Sequence, residues 1–571
     1  MRKINYYLLS ALFLTAISIE LEAQTPVWQS ATDSEGAENE YANRLSEDQE
    51  GNVFVAGNYS GDFSYAGQLF EYSGNETPGG LDAFLTKLSP DGTTLWSTSF
   101  GNTTFQVATF SGLVNDSEGN VYLCGIMQPA APGQMVTFAG FELTINPPNL
   151  MYFCKIDADG NGIWIKEYAA GPNGFVLNVR PTLGIDSEDN LILGGSFAGS
   201  LDFDGTILSA AGGQFDHYAG KFDSDGNTLW AKSFGSANDE QNLTTSVATD
   251  DGVLLGGAWS GDSLFLGDLF VVNDDPIVGD NYDRWIGKLN SDGEAIVLSR
   301  EAVGGSFESP TAPSAIAPAP NGGAMVLSRV NEPINIGGEE ITENGLLITN
   351  YNFEGELASV ESIADLTPRS TMIPDGNGNY FYGGTFSTPT IAIGSDVLTN
   401  AGDDSGTNDA VLIQCNATGE ANYAFQIGDV EDDFISQLRM MSSGQLLVAG
   451  NYNSSSLTMG DETLENTGFL TDDFFLGYLD FTTGLIEWGE AKEISVYPNP
   501  TSNFLTIDVS SIELNNSEVS IFDMNGRVVL KPNNAVNVVN RLDVSHLENG
   551  IYVLDIQGAA AHYVSKFIVN K

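Results

Sequence analysis

The residues of this chain best suited to chemistry are carboxylates that recur at one place in a repeat. Asp82, Asp216, Asp283, Asp409 and Asp473 each stand five residues before the position that the first such segment fills with Lys87. Each lies where a long polar loop meets a β-rich run. Oxygen ligands repeated in this way suit a hard cation such as Ca2+. They equally suit carboxylates that accept loop backbone N–H groups. A second set is cationic. Arg180 and Arg369 open equivalent segments, six residues before Asp186 and Asp375, and Arg44 and Arg439 share their parity. On alternating strands that places all four on equivalent faces, to meet neighbouring carboxylates or an anionic ligand.

Histidine chemistry is excluded by count. Of three histidines, His546 and His562 lie in the C-terminal tail, leaving His217 alone in the repeats. No Ser-His-Asp triad or multi-histidine zinc site can be built from one imidazole. His217 itself reads as a partly exposed strand residue. The segment SPDGTTLW, ending at Trp96, resembles the sialidase Asp box, but Gly92 is one place early and Leu95 replaces the threonine. It reads as a hairpin turn with Trp96 as a packing anchor. Asp157–Asn161 (DADGN) lacks the remaining ligands of an EF-hand loop and reads as another turn. Three cysteines are too few for a disulfide scaffold. Cys124 and Cys154 fall on neighbouring strands, which leaves open a cross-strand bridge or two buried thiols.

The positioning elements follow from a period. A turn-then-strand phrase ends at Trp28, Trp96, Trp164, Trp230, Val297, Ser359, Tyr423 and Trp488, spaced 62–68 residues apart. Each of the seven units parses into strands A to D, in the first unit residues 43–48, 53–59, 83–88 and 94–100. Asp-Gly and Gly-Asn pairs mark tight turns, because glycine takes positive φ without steric cost. An apolar slot recurs in strand A as Leu45, Leu113, Leu183, Val247, Ile316, Met372 and Leu438. Each B–C connection carries an apolar-Gly-x-x-apolar phrase, as around Gly67, Gly140, Gly205, Gly267 and Gly460, and so should hold an ordered hairpin. Seven units of four strands predict a seven-bladed β-propeller. Eight D-type strands for seven A–B–C sets make Trp28 and Trp488 rivals for the outer place of the last blade. The N-terminal strand is expected to dock there. The phrases DxxGNxYxxG, D-A-F-x-x-K-L and D-G-x-x-x-W resemble the SBBP-type β-propeller repeat family. That resemblance implies a fold and a secreted or surface habit, and no reaction.

Bulk properties narrow the partners. Twenty-one Lys and Arg against 76 Asp and Glu give a net charge of −55, which repels nucleic acid and anionic membranes. Arg2 and Lys3 followed by the apolar run 6–19 and Leu21-Glu22-Ala23 read as a signal peptide over residues 1–23. No later segment is apolar enough to span a membrane. The repeats then occupy residues 24–490, and composition changes over 491–571. There, residues 497–509, 519–530, 542–556 and 566–571 form alternating runs with Asn-Gly turns, predicting a small Ig-like β-sandwich.

The tail resembles the type A C-terminal sorting domain of the type IX (Por) secretion system of Bacteroidetes. Tyr497-Pro498-Asn499-Pro500, Asn525-Gly526-Arg527, Gly550-Ile551-Tyr552 and the closing Lys571 carry the likeness. It implies Sec export, passage across the outer membrane by the type IX machinery, and release or attachment at the cell surface. The expectation is a secreted all-β cargo acting as a binding or structural module on a glycan or protein, with no cofactor unless Ca2+. The alternative is a polysaccharide-active enzyme with paired Asp/Glu residues.

Overall fold

The computed structural model describes residues 26–73, 80–101, 105–129, 133–145, 150–168, 181–211, 215–238, 240–273, 282–302, 313–331, 333–402, 406–466, 468, 471–480, 492–493, 496–507, 518–523, 528–530, 541–547, 549–557 and 562–571. The expected signal peptide, Arg180, Trp488 and the Asn525-Gly526-Arg527 turn lie outside them. The chain divides into two compact units, Pro26–Phe481 and one that includes Thr482–Lys571. It is all-β, with no helix among the described residues.

The larger unit contains seven four-stranded antiparallel sheets, six of them built in chain order A-B-C-D. In the first, Glu40–Glu47, Val53–Tyr59, Asp82–Leu88 and Thr94–Phe100 pair in sequence. Five of the B strands and six of the C strands are buried at every position, as in Val53–Tyr59 and Asp82–Leu88. Such strands are covered on both faces by other sheets, so they read as near-continuous apolar runs. The A strands of successive units lie against one another, and that of unit seven, Asp433–Met440, lies against that of unit one.

Unit seven draws its fourth strand from the other end of the chain. Val27–Asp33 pairs antiparallel with Asp473–Asp480, Ala31 opposite Gly477. Trp28 therefore takes the outer place for which it competed.

Every B–C connection holds the expected two-stranded hairpin, from Phe63–Tyr65 with Gln68–Phe70 to Ser456–Met459 with Glu462–Glu465. Their reversals use positive φ, as at Gly67 (76°) and Gly205 (100°), where a side chain would be strained.

Two expectations change at this level, for the unit-four slot and His217, and the open choice for the cysteines falls to buried thiols. The apolar slot of unit four is Thr245, not Val247: Thr245 pairs with Leu255, as Leu45 pairs with Val55 and Leu183 with Leu193. Cys124 and Cys154 are free, buried thiols. Cys154 lies opposite Leu123 and Cys124 opposite Phe153. That one-residue offset sends them to opposite faces, into separate core clusters. His217 is wholly buried, because a C strand in this arrangement has no open face; its Nδ1 meets Ser196 Oγ at 2.7 Å and burial pushes its pKa down to about 3.

The smaller unit has a five-stranded and a three-stranded sheet among its described residues. Leu505, Ile507 and Leu542 of one sheet and Ile521, Leu554 and Phe567 of the other share a core.

Candidate functional site

The five recurrent aspartates each open a C strand and are buried. Three of them hold loop backbone. Asp82 accepts from Ser73 N at 2.7 Å and from its Oγ at 2.9 Å. Asp216 accepts from Ala211 N at 2.7 Å, and Asp409 from Ala401 N at 2.8 Å and Gln426 Nε2 at 2.6 Å. Asp283 instead meets Arg300 at 2.8 Å. The aspartates stand on five separate sheets, and no three Asp, Glu, His or Cys side chains among the described residues group as metal ligands.

A second layer of carboxylates was not singled out from the sequence. Glu40, Glu240 and Asp433 open the A strands of units one, four and seven and are buried. Each follows a backbone bond to the preceding unit: Glu40 N to Asp472 O at 2.7 Å, Glu240 N to Phe215 O at 3.1 Å and Asp433 N to Asn408 O at 2.8 Å. These bonds bring each acid to the C-strand aspartate of the preceding unit. A Cβ built on Gly235 would lie 2.7 Å from Glu240 Oε2 and 2.9 Å from Asp216 Cγ. One on Gly428 would lie 3.1 Å from both Asp409 Cγ and Asp433 Oδ2. Glycine after strand D thus leaves room for two carboxyl groups to converge. The available signal was an acidic residue at the head of strand A in units whose predecessor has the C-strand Asp.

Desolvation penalises the charged form and a neighbouring carboxylate adds to it. Burial, opposed by the donors of Ala401 and Gln426, leaves Asp409 raised to about 6. Burial and the charge of Asp409 raise Asp433 to about 7. Carboxylates at the opposite end of the A strand behave otherwise. Asp48, Asp116 and Asp186 are buried beside Lys87, Lys155 and Lys221 at 3.1, 3.2 and 2.6 Å. Despite burial, their asparagine and lysine donors hold all three below the usual carboxylate range.

Arg44 and Arg439 do share one face: both lie past the bulges at Ala42/Arg44 and Ile435/Gln437, next to the equivalent slot residues Leu45 and Leu438. Arg369 departs from it, because it lies within an irregularity between Pro368 and Met372. Extra residues there break the alternation on which its parity rests. Arg44 Nε donates to Ser111 O of the next unit at 2.6 Å. Arg369 sits 4.1 Å over the ring of Phe434, also of the next unit, and Arg439 is exposed. Neighbouring carboxylates also act on them: the charge of Asp432 favours the cation of Arg369, and that of Glu47 favours Arg439.

The hairpins supply the open surface. Leu69, Ile207, Phe270 and Val397 hold the same place, second in the outgoing strand, and all are exposed. The hairpin Ser263–Leu266 with Leu269–Val272 adds more: Phe265, Phe270 and Val272 are 51%, 60% and 50% exposed, and the two rings lie 6.0 Å apart.

In the smaller unit the sorting-type residues are largely built into the sheet. Asn499 Nδ2 donates to Lys566 O at 3.0 Å and its Oδ1 accepts from Ile568 N at 2.9 Å. Lys571 Nζ donates to Ser545 O at 2.7 Å. Tyr552 is buried and stacks on Phe567, whereas Tyr497 and Ile551 face outward. Gly550 opens the strand Gly550–Gln557, and Pro498 and Pro500 flank Asn499 at the exposed surface.

Residues 495–570 match the family described as the secretion system C-terminal sorting domain. The match supports export of this chain by type IX secretion to the cell surface or extracellular space, and contact with that machinery. A WD repeat-containing protein of Acanthamoeba polyphaga mimivirus, itself uncharacterised, is 25% identical over 215 residues, 33% of this chain and 15% of that protein. The chain thus spans a small part of that relative's length. Among solved structures, a Dyadobacter fermentans protein of unknown function aligns over 80% of this chain and 99% of its own, at 10% identity and TM-score 0.36. The extracellular domain of a putative one-component system from B. thetaiotaomicron aligns over 95% and 100%, at 11% identity and TM-score 0.16. At such values the fold rests on the strand pairing itself.

Proposed function

We propose that residues 26–480 form a seven-bladed β-propeller, carried out of the cell by an Ig-like C-terminal sorting domain, and that the propeller is an extracellular binding module. Seven A-B-C-D sheets whose A strands return from unit seven to unit one support the architecture. No repeat of the SBBP type is needed for that reading, although the phrases resemble it.

The observation that carries the binding role is the outward aromatic pair Phe265 and Phe270 with Val272 beside it. A two-residue hairpin already satisfies its core by burying Leu264 and Leu266. Nothing in its own folding calls for aromatic rings on the outer face. Such rings offer flat apolar surface to the faces of a sugar or to apolar side chains of a protein. An extracellular glycan is the ligand class that best fits an exported acidic chain, since its neutral sugars feel no repulsion from the −55 charge. The polysaccharide-cleaving alternative needs carboxyl pairs open to a sugar, and the pairs assembled here are buried.

The test is retention of the purified chain on immobilised extracellular glycans. The F265A/F270A double variant should lose at least about tenfold in affinity, in the range of one aromatic hot spot, with an unchanged melting temperature. Equal retention of variant and wild type would refute the assignment.

A further inference from the structure

The carboxyl pairs between units are not alike, and the difference concerns hydrogen-bond donors. At Asp409 and Asp433 one oxygen of each is served. Asp409 Oδ2 has Ala401 N and Gln426 Nε2, and Asp433 Oδ2 has Asp429 N at 2.8 Å and Ser454 Oγ at 3.3 Å. One oxygen on each aspartate remains without a donor. Each member of that pair thus lacks a donor on one oxygen only. Glu40 and Asp473, where the N-terminal segment meets the last unit, are different. Both are 0% exposed, and apart from each other their carboxylate oxygens have no hydrogen-bond partner among the described residues. One shared proton can serve two of those oxygens and leaves two buried and unsatisfied, at a cost that folded proteins rarely tolerate.

The surroundings sharpen the demand for positive charge. The charges of Glu38 and Asp472 act on Glu40, and those of Asp33 and Asp472 on Asp473. Asp33 and Asp472 are themselves fixed, by Tyr452 Oη at 2.6 Å and Tyr41 Oη at 2.9 Å. No lysine or arginine among the described residues forms an ion pair with Glu40 or Asp473. The backbone also closes over the pair. A Cβ on Gly36 would lie 2.4 Å from Glu40 Oε1, and Ser34 is bonded through N to Phe474 O and through Oγ to Phe474 N, both at 3.0 Å.

We propose that Glu40 and Asp473 together hold a Ca2+ ion at the junction of units seven and one. The ligand atoms on offer are all oxygens: four from the carboxylates, with main-chain carbonyls and water to complete the shell. Ca2+ takes six to eight such ligands in irregular geometry. Mg2+ demands a near-ideal octahedron and gives up its waters reluctantly, which a closed, two-carboxylate site does not suit. Because the ion joins a residue of the first unit to one of the last, it would act on closure of the domain.

The experiment uses the exported chain freed of divalent ions with EDTA. Melting is followed in Ca2+ and in Mg2+ at matched ionic strength. The expected result is a Ca2+-specific rise of roughly 2 °C at a hundredfold excess over Kd. E40Q and D473N should each abolish that rise, while D433N, at the donor-rich pair, should retain it. Either substitution also removes a buried charge, so neither depends on the other for a folded reference. Equal rises in the two ions, no rise in either, or a Ca2+ response unchanged in both E40Q and D473N would overturn the proposal and leave a proton-sharing pair.

Discussion

The indole N–H of Trp96 donates to the carbonyl oxygen of Ala158 at 2.9 Å, across the boundary between units one and two. Trp164 repeats the bond to Ser224 at 3.3 Å and Trp230 to Ser291 at 3.0 Å. Each acceptor sits in the C–D turn of the following unit, and the turn glycine is the reason the ring can reach it. A Cβ on Gly160 would lie 2.9 Å from Trp96 Cδ2, and one on Gly293 would lie 2.6 Å from Trp230 Cδ2. The repeated turn phrase therefore encodes a pair of partners: a tryptophan that reaches forward and a glycine that receives its predecessor.

Truncating Trp96 to alanine should destabilise the larger unit by about 3 kcal/mol, the lower end for a large aromatic because the ring is only partly buried. Trp96→Phe should retain part of the packing against Phe54, whose ring lies 5.8 Å away, and lose the bond to Ala158. It should cost about 1 kcal/mol of hydrogen bonding beyond lost area. Urea denaturation of the two variants checks the order; equal losses would show that the indole N–H contributes nothing.

Lys87 and Asp48 form a nearly dry ion pair at 3.1 Å. Removing the lysine alone strands a buried carboxylate, so Lys87→Ala should cost about 3 kcal/mol. Asn52 still donates to Asp48, through Nδ2 at 2.9 and 3.1 Å and N at 2.9 Å, which keeps the cost at the lower end. Asp48→Asn in the Lys87→Ala background should recover much of the loss. A double variant no more stable than the single would contradict this account.

The response to pH has a defined sign. Asp409 and Asp433 are raised to about 6 and about 7 in the folded chain, chiefly by burial, against an ordinary value near 4 when unfolded. Between about pH 4 and 7 the folded state thus binds more protons than the unfolded one, and stability falls as pH rises through that window. Asp48, Asp116 and Asp186 are lowered instead; their contribution is present above about pH 4 and disappears as pH falls below it. The melting temperature should be higher at pH 5 than at pH 8 and decline again below pH 4. Asp433→Asn should flatten the limb between pH 5 and 8. A melting temperature that rises from pH 5 to 8 would be the contrary result.

Deleting residues 491–571 should leave a folded larger unit that stays in the periplasm, because the segment matching the sorting family is gone. Fractionation of cells expressing the truncated chain tests this, and delivery to the surface at the normal level would refute it.

Strand identity was legible because turn chemistry and apolar runs agree: strands B and D of unit one run Val53–Tyr59 and Thr94–Phe100, as their residues suggest. Strand A begins earlier, at Glu40, because its head pairs with Tyr59 beyond a bulge that alternation cannot reveal. The same kind of bulge takes Arg369 out of the face that Arg44 and Arg439 share. Thr245 escaped notice as a core-slot residue because a threonine there is distinguishable from Val247 only by register. The pairing of Glu40 with Asp473 joins residues more than 400 positions apart, and no local pattern carries it. Backbone capture by Asp82, in contrast, was foreseeable from a carboxylate at a loop–strand junction.

The pairing of Val27–Asp33 with Asp473–Asp480 sets biosynthetic order against assembly order. The first of these strands to be made waits longest for its partner, since its template is translated last. Bringing the two together carries a loop-closure entropy of about 5 kcal/mol for a loop of this length, recovered only once the seventh unit exists. Until then Val27–Asp33 is an unclaimed strand, and until it docks the edge of Asp473–Asp480 is open to any comparable strand in reach. A neighbouring copy's own leading strand is the best such competitor. Crowded chains caught between synthesis and release are therefore exposed to reciprocal strand exchange, and dimers formed that way would be linked at their first residues.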